Sequence, residues 1–131
     1  MCIRDSPKRI ILGGFSQGGA VALTCAVHAL DGVALGGVVA LSSYLPMADE
    51  YLRGSLRVSS AARDVSFFLA HGDADPVLDL SLGKKAEATL WRLGARKLQF
   101  HLMPGLGHSR NDAETALVKQ FIEWLIVDTL P

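Results

Sequence analysis

The stretch that decides the fold runs from Ile10 to Ala20 and reads IILGGFSQGGA. An apolar run, Arg9 to Phe15, breaks at Ser16, with Gly14 two residues before it and Gly18 two after, and a helical composition of small residues follows from Gln17 to Leu30. A strand that turns at once into a helix brings neighbouring backbones too close for side chains, which explains glycine at both flanking positions. The strained turn lifts the serine hydroxyl into the open. A glycine-rich turn whose serine merely caps the helix would use the same letters, but the strand before and the helix after favour the first reading.

Working outward, three more short runs rich in β-branched and aromatic residues follow: Gly37 to Ser42, Val65 to His71 and Lys97 to Met103. Each is nearly continuous in apolar character and bounded by Gly or Pro, as strands buried on both faces should be. Between and after them lie amphipathic segments. One is Leu80 to Leu93. In another, Ala113, Ala116, Leu117, Phe121, Trp124 and Leu125 form one stripe at helical spacing. Trp91 and Trp124 fall on such apolar faces and read as core. Met47 to Asp64 lacks a clear period and reads as a loop with room for one short helix. The alternation predicts an α/β fold: a mostly parallel sheet of about four strands with helices on both faces. Ligands of such sheets bind outside the carboxyl ends of the strands.

Those ends carry chemistry. A serine hydroxyl needs a base within hydrogen-bond reach and an acid that orients the base. The third strand runs into His71, Gly72, Asp73, Ala74, Asp75, Pro76, and the fourth into Met103, Pro104, Gly105, Leu106, Gly107, His108. Among the four histidines, His28 sits in the first helix, His101 within a strand and His71 before the acidic turn, so His108 is the candidate base. A loop histidine of this kind also serves as a cap or a solvated residue. Asp75 is the better acid because Pro76 biases it to an extended backbone, whereas Asp73 suits a role on turn amides. Val77, Leu78 and Leu80, beside the acid, fit either an apolar ligand slot or a helix start packing on the sheet.

Composition narrows the partners. Half of the 131 residues are hydrophobic, enough for a core, and 13 basic residues balance 13 acidic ones. No global field recruits nucleic acid or an anionic membrane. The two cysteines, Cys2 and Cys25, are too few for a disulfide framework, and Cys25 lies in an apolar helical stretch. No run approaches the roughly 20 apolar residues of a membrane span, and no signal-peptide core opens the chain. A soluble, cytoplasmic product without membrane insertion is expected. No His, Cys or carboxylate cluster has metal-ligand spacing.

Four blocks, Ile10–Ala20 (IILGGFSQGGA), Ala40–Pro46 (ALSSYLP), His71–Pro76 (HGDADP) and Gly105–Ser109 (GLGHS), resemble those of the acyl-protein thioesterases, a group that includes bacterial carboxylesterases and lysophospholipases. The resemblance runs from about Lys8 to about Leu125 of the sequence. It implies an α/β-hydrolase domain over residues 7–131 and, in the order serine, acid, histidine, Ser16 as nucleophile, Asp75 as acid and His108 as base. It further implies the Gln17 backbone N–H as an oxyanion donor, and Leu45, Val77 and Leu78 as acyl contacts. The chemistry implied is hydrolysis of acylated-protein thioesters or small carboxylic esters without metal or cofactor. The family often has tryptophan where this chain has Tyr44.

Residues 1–6 (MCIRDS) resemble nothing in the family and read as an unrelated leader. The fold's second oxyanion donor belongs upstream of the nucleophile, so the chain is expected to be a carboxyl-terminal part, weakly active or inactive, with its first strand left as an edge open to association. The competing functional readings are a non-catalytic binding module and, within catalysis, a lysophospholipase or dienelactone-type hydrolase.

Overall fold

The computed structural model describes residues 6–29, 34–56 and 58–128. Cys2, the rest of the leader up to residue 5 and the predicted helix end at Leu30 lie outside them. Four strands, β1 (Ile11–Phe15), β2 (Gly37–Leu41), β3 (Ser66–Gly72) and β4 (Lys97–Met103), form one sheet in the order β1-β2-β3-β4. All three pairings are parallel. Helices α1 (Gln17–Thr24), α2 (Ala48–Leu52), α3 (Leu80–Arg92) and α4 (Asp112–Asp128) fill the connections and the end.

The period of two along the strands explains why their runs look unbroken. Val38, Ala40, Phe67 and Leu69 pack with Leu23 of α1 and Ala86 and Leu90 of α3 on one face. Val39, Phe68 and Ala70 pack with Phe121 and Leu125 of α4 on the other. Phe67 and Phe68, adjacent in β3, are both fully buried on opposite faces, and truncating either to alanine should cost about 3–5 kcal/mol.

Beyond one-residue shifts at the ends of β2, β3 and α3, the structure refines the sequence reading in three places. The first strand begins at Ile11, not Arg9, because Pro7 opens a 3-10 turn over Pro7–Arg9 in which the Arg9 N–H donates to Ser6 O and the Ile10 N–H to Pro7 O. The first helix continues beyond Thr24 as a π-helical stretch, Cys25–Ala29. The segment expected to hold one short helix holds α2 and a 3-10 turn at Ser60–Asp64. No helix among the described residues is long and apolar enough to cross a membrane.

Candidate active site

β1 ends at Phe15, and Ser16 bridges it to α1 with φ 55° and ψ −119°, a left-handed backbone that a non-glycine residue adopts at a cost of about 1–3 kcal/mol. Several contacts hold that geometry. The Ser16 N–H donates to Leu41 O at 2.8 Å, and the Ser16 carbonyl accepts from the Ala20 N–H at 3.2 Å and from Ser43 Oγ at 2.7 Å. The glycine requirement differs from the sequence reading. A Cβ at Gly14 would collide with the Gly18 backbone, and one at Gly19 would lie 2.6 Å from Ser43 Oγ, but one at Gly18 meets nothing within 4 Å. The close approach is one-sided: Gly14 faces the helix backbone, while Gly18 faces outward.

His108 and Asp75 converge on this serine. His108 Nε2 lies 3.1 Å from Ser16 Oγ, and His108 Nδ1 lies 2.8 Å from Asp75 Oδ2. The Asp75 side chain is fully buried. Burial alone would raise its carboxyl, but the Leu78 N–H, the His108 ring and the Val77 N–H outweigh burial and hold it below the ordinary aspartate value. Both amides donate to Oδ1 at 2.9 Å. An ionised carboxylate only accepts, so Nδ1 carries the imidazole hydrogen and Nε2 is left with a lone pair for the Ser16 hydroxyl. The His108 side chain is 17% exposed, and the Phe15 ring lies against it, centroids 4.8 Å apart.

Asp73 is engaged elsewhere. Its Oδ1 accepts from the Gly105 N–H at 2.7 Å, tying the acidic loop to the turn that precedes His108. Gln17 opens α1, so its N–H belongs to the first turn, whose amides have no intrahelical acceptor. The three residues expected to contact acyl chains are not brought together as one surface. Val77 is 65% exposed and Leu78 half-buried, whereas Leu45 is 5% exposed and packs in the core on the α1 and α3 face. No group of three potential metal ligands occurs among the described residues.

Sequence reasoning missed Ser43, Phe15 and His71. Ser43 supports the elbow across 27 residues of sequence, and only the parallel pairing of β1 with β2 brings the two strand ends side by side. Phe15 reads as one more apolar strand residue. His71, fully buried near the end of β3, reads only as the last residue of a strand run, before the acidic turn.

A strand-to-helix elbow bearing a serine, with a histidine and a carboxylate on loops at the carboxyl ends of neighbouring parallel strands, places the fold in the α/β-hydrolase class. The profile of the phospholipase/carboxylesterase family matches residues 5–126, and the chain belongs to that family. Acyl-protein thioesterase 1 of Debaryomyces hansenii is 37% identical to it over 115 residues, 88% of this chain and 47% of that protein. Acyl-protein thioesterase 2 of Zea mays superposes with a TM-score of 0.74 at 31% identity, over 86% of this chain and 54% of that one. Arabidopsis thaliana SOBER1 superposes with a TM-score of 0.82 at 25% identity, over 94% and 56%. The chain spans about half the length of the curated relatives it matches.

Proposed function

We propose that this chain carries the catalytic relay of a cytoplasmic serine hydrolase that cleaves acyl thioesters or carboxylic esters through an acyl-enzyme. The observation that carries the reading is the continuous path Ser16 Oγ, His108 Nε2, His108 Nδ1, Asp75 Oδ2, with heavy-atom separations of 3.1 and 2.8 Å. Ser16 Oγ attacks the acyl carbonyl as its proton passes to His108 Nε2, and buried Asp75 stabilises the imidazolium. The Gln17 N–H donates to the oxyanion, aided by the positive end of α1. Collapse breaks the C–S or C–O bond, and the leaving thiolate or alkoxide takes the proton from His108. Water then repeats the sequence on the acyl-enzyme and releases the acid. Val77 and Leu78, beside Asp75, are the side chains that would meet the acyl chain. The names of the relatives, acyl-protein thioesterases among them, favour an acylated-protein thioester or a small ester as substrate. The balanced charge of 13 basic and 13 acidic residues favours a neutral partner.

We further take the outer edge of β1 to be completed by another strand. β1 is an edge of the described sheet, Ile10 just before it and Phe15 at its end are 42% and 37% exposed, and the curated relatives are about twice as long as the stretch they share with this chain. That strand would bring the second oxyanion donor. The test is turnover of a short-chain aryl ester and an acyl thioester. Hydrolysis lost in Ser16→Ala and indifferent to chelator is expected. Equal turnover in both forms, or activity restored by zinc after chelation, would refute the reading.

A further inference from the structure

A second histidine stands behind the acid of the relay. His71 is the penultimate residue of β3, 1% exposed, its ring turned to the α3 face. Its Nε2 lies 2.8 Å from the Leu78 carbonyl oxygen. A carbonyl only accepts, so Nε2 carries a hydrogen and donates it. Nδ1 is buried without a hydrogen-bond partner. A hydrogen there would be an orphaned buried donor, so the site fits the tautomer with its hydrogen on Nε2. The ring fits because α3 has glycine at position 83, where a Cβ would lie 2.7 Å from Nδ1.

Leu78 is thereby held from two sides. Its carbonyl accepts from His71, and its N–H donates to Asp75 Oδ1. The segment from Asp75 to Leu78 has no helix or strand of its own to fix it. Two amide bonds to Oδ1 set the carboxylate plane only as well as those amides are themselves set. The His71 Nε2 also lies 3.6 Å from Asp75 Oδ2, the oxygen that faces His108. That is beyond a good hydrogen bond, so His71 acts on Asp75 through Leu78.

We propose that His71 is a positioning residue for the relay: its Nε2–H, by holding the Leu78 carbonyl, locks the Asp75–Leu78 loop so that Oδ1 stays on its two amides and Oδ2 stays aimed at His108. The inference rests on the serine-hydrolase reading above. A histidine that merely filled space would be replaceable by leucine. A positioning histidine is replaceable by glutamine, whose amide N–H reaches about as far as Nε2, but not by leucine.

The experiment compares wild type with His71→Leu, His71→Gln and Gly83→Ala, the last keeping the imidazole but pushing it aside. Two readouts are taken on folded protein: the rate at which a fluorophosphonate probe labels Ser16, and the downfield proton resonance of His108 Nδ1–H. Expected are labelling slowed about 10- to 100-fold in His71→Leu and Gly83→Ala, with the resonance broadened or lost, and recovery of most of both in His71→Gln. Wild-type labelling and an intact resonance in folded His71→Leu overturn the proposal. So does a folded His71→Gln as slow as the leucine variant. Should both His71 variants fail to fold, Gly83→Ala decides, and wild-type behaviour there refutes the proposal. If wild-type Ser16 does not label at all, the hydrolase reading fails, while the resonance still reports whether His71 sets the Asp75–His108 bond.

Discussion

Replacing Asp75 by asparagine removes one charge and one acceptor from a buried group that serves three donors. The carboxylate accepts from the Val77 and Leu78 N–H groups on Oδ1 and from His108 Nδ1–H on Oδ2. Asparagine has one acceptor oxygen. If that oxygen stays on the two amides, the NH2 group faces His108 Nδ1, and two donors cannot share the contact. The imidazole then shifts to the tautomer with hydrogen on Nε2, which faces Ser16 Oγ at 3.1 Å and can no longer take its proton. A relay with the wrong tautomer loses about 10⁴ in turnover, four decades at about 1.36 kcal/mol each, or about 5.4 kcal/mol of transition-state stabilisation. Asp73→Asn is the matched control. Asp73 makes one bond, from the exposed side, to the Gly105 N–H, and an asparagine oxygen accepts it nearly as well. Its cost should be about 1 kcal/mol of loop stability and less than about 10-fold in turnover. Ester hydrolysis by both variants, each shown to be folded, is the assay. An Asp73→Asn loss equal to or larger than that of Asp75→Asn would refute the assignment of the acid.

Gly14→Ala should prevent the elbow from forming and abolish Ser16 labelling, whereas Gly18→Ala should melt no lower than wild type, because only the first places a Cβ against backbone and alanine is the better helix former; equal melting losses in the two would contradict this. Glu114 is fully buried with neither carboxylate oxygen partnered, and burial raises its carboxyl above the ordinary value although Arg110 pulls it back. Its charge therefore costs stability above the ordinary glutamate range, near about pH 4.3. Glu114→Gln should melt higher at neutral pH, with the gain fading as pH falls into that range; a gain independent of pH would contradict the account. Prepared as these 131 residues alone, the chain should associate through β1, an edge of the described sheet. Extending it upstream of Lys8 with pairing strands should return it to a monomer and raise ester hydrolysis by about 10² to 10³. A monomeric short form as active as the extended one would show that these 131 residues supply both oxyanion donors.

What the sequence made legible follows from how each residue does its work. The inner strands β2 and β3 are visible because burial on both faces leaves no polar alternation, as the adjacent Phe67 and Phe68 illustrate, whereas β4, at the sheet's edge, is half exposed and alternates Lys97, Gln99 and His101 with Leu98, Phe100 and Leu102. The elbow is visible because strand, glycine, serine and helix are contiguous, and the choice of Asp75 over Asp73 follows from local turn chemistry around Pro76. Residues that act across the sheet leave no such trace. Ser43 reaches Ser16 only through strand pairing, and His71 meets Leu78 only once β3 has been packed against α3. Which glycine is obligatory depends on Cβ direction, which spacing does not encode. Leu45, an acyl contact by resemblance, is covered by the core. The turn that delays β1 to Ile11 depends on two backbone bonds behind Pro7.

The central claim, that Ser16 is a nucleophile activated by His108 and Asp75, is tested most directly by intact mass after exposure to a fluorophosphonate probe. The account predicts that one phosphonyl group adds to wild type, that peptide mapping places it on Ser16, and that Ser16→Ala takes up none. Equal uptake by wild type and Ser16→Ala, or a label mapped to another residue, would contradict it.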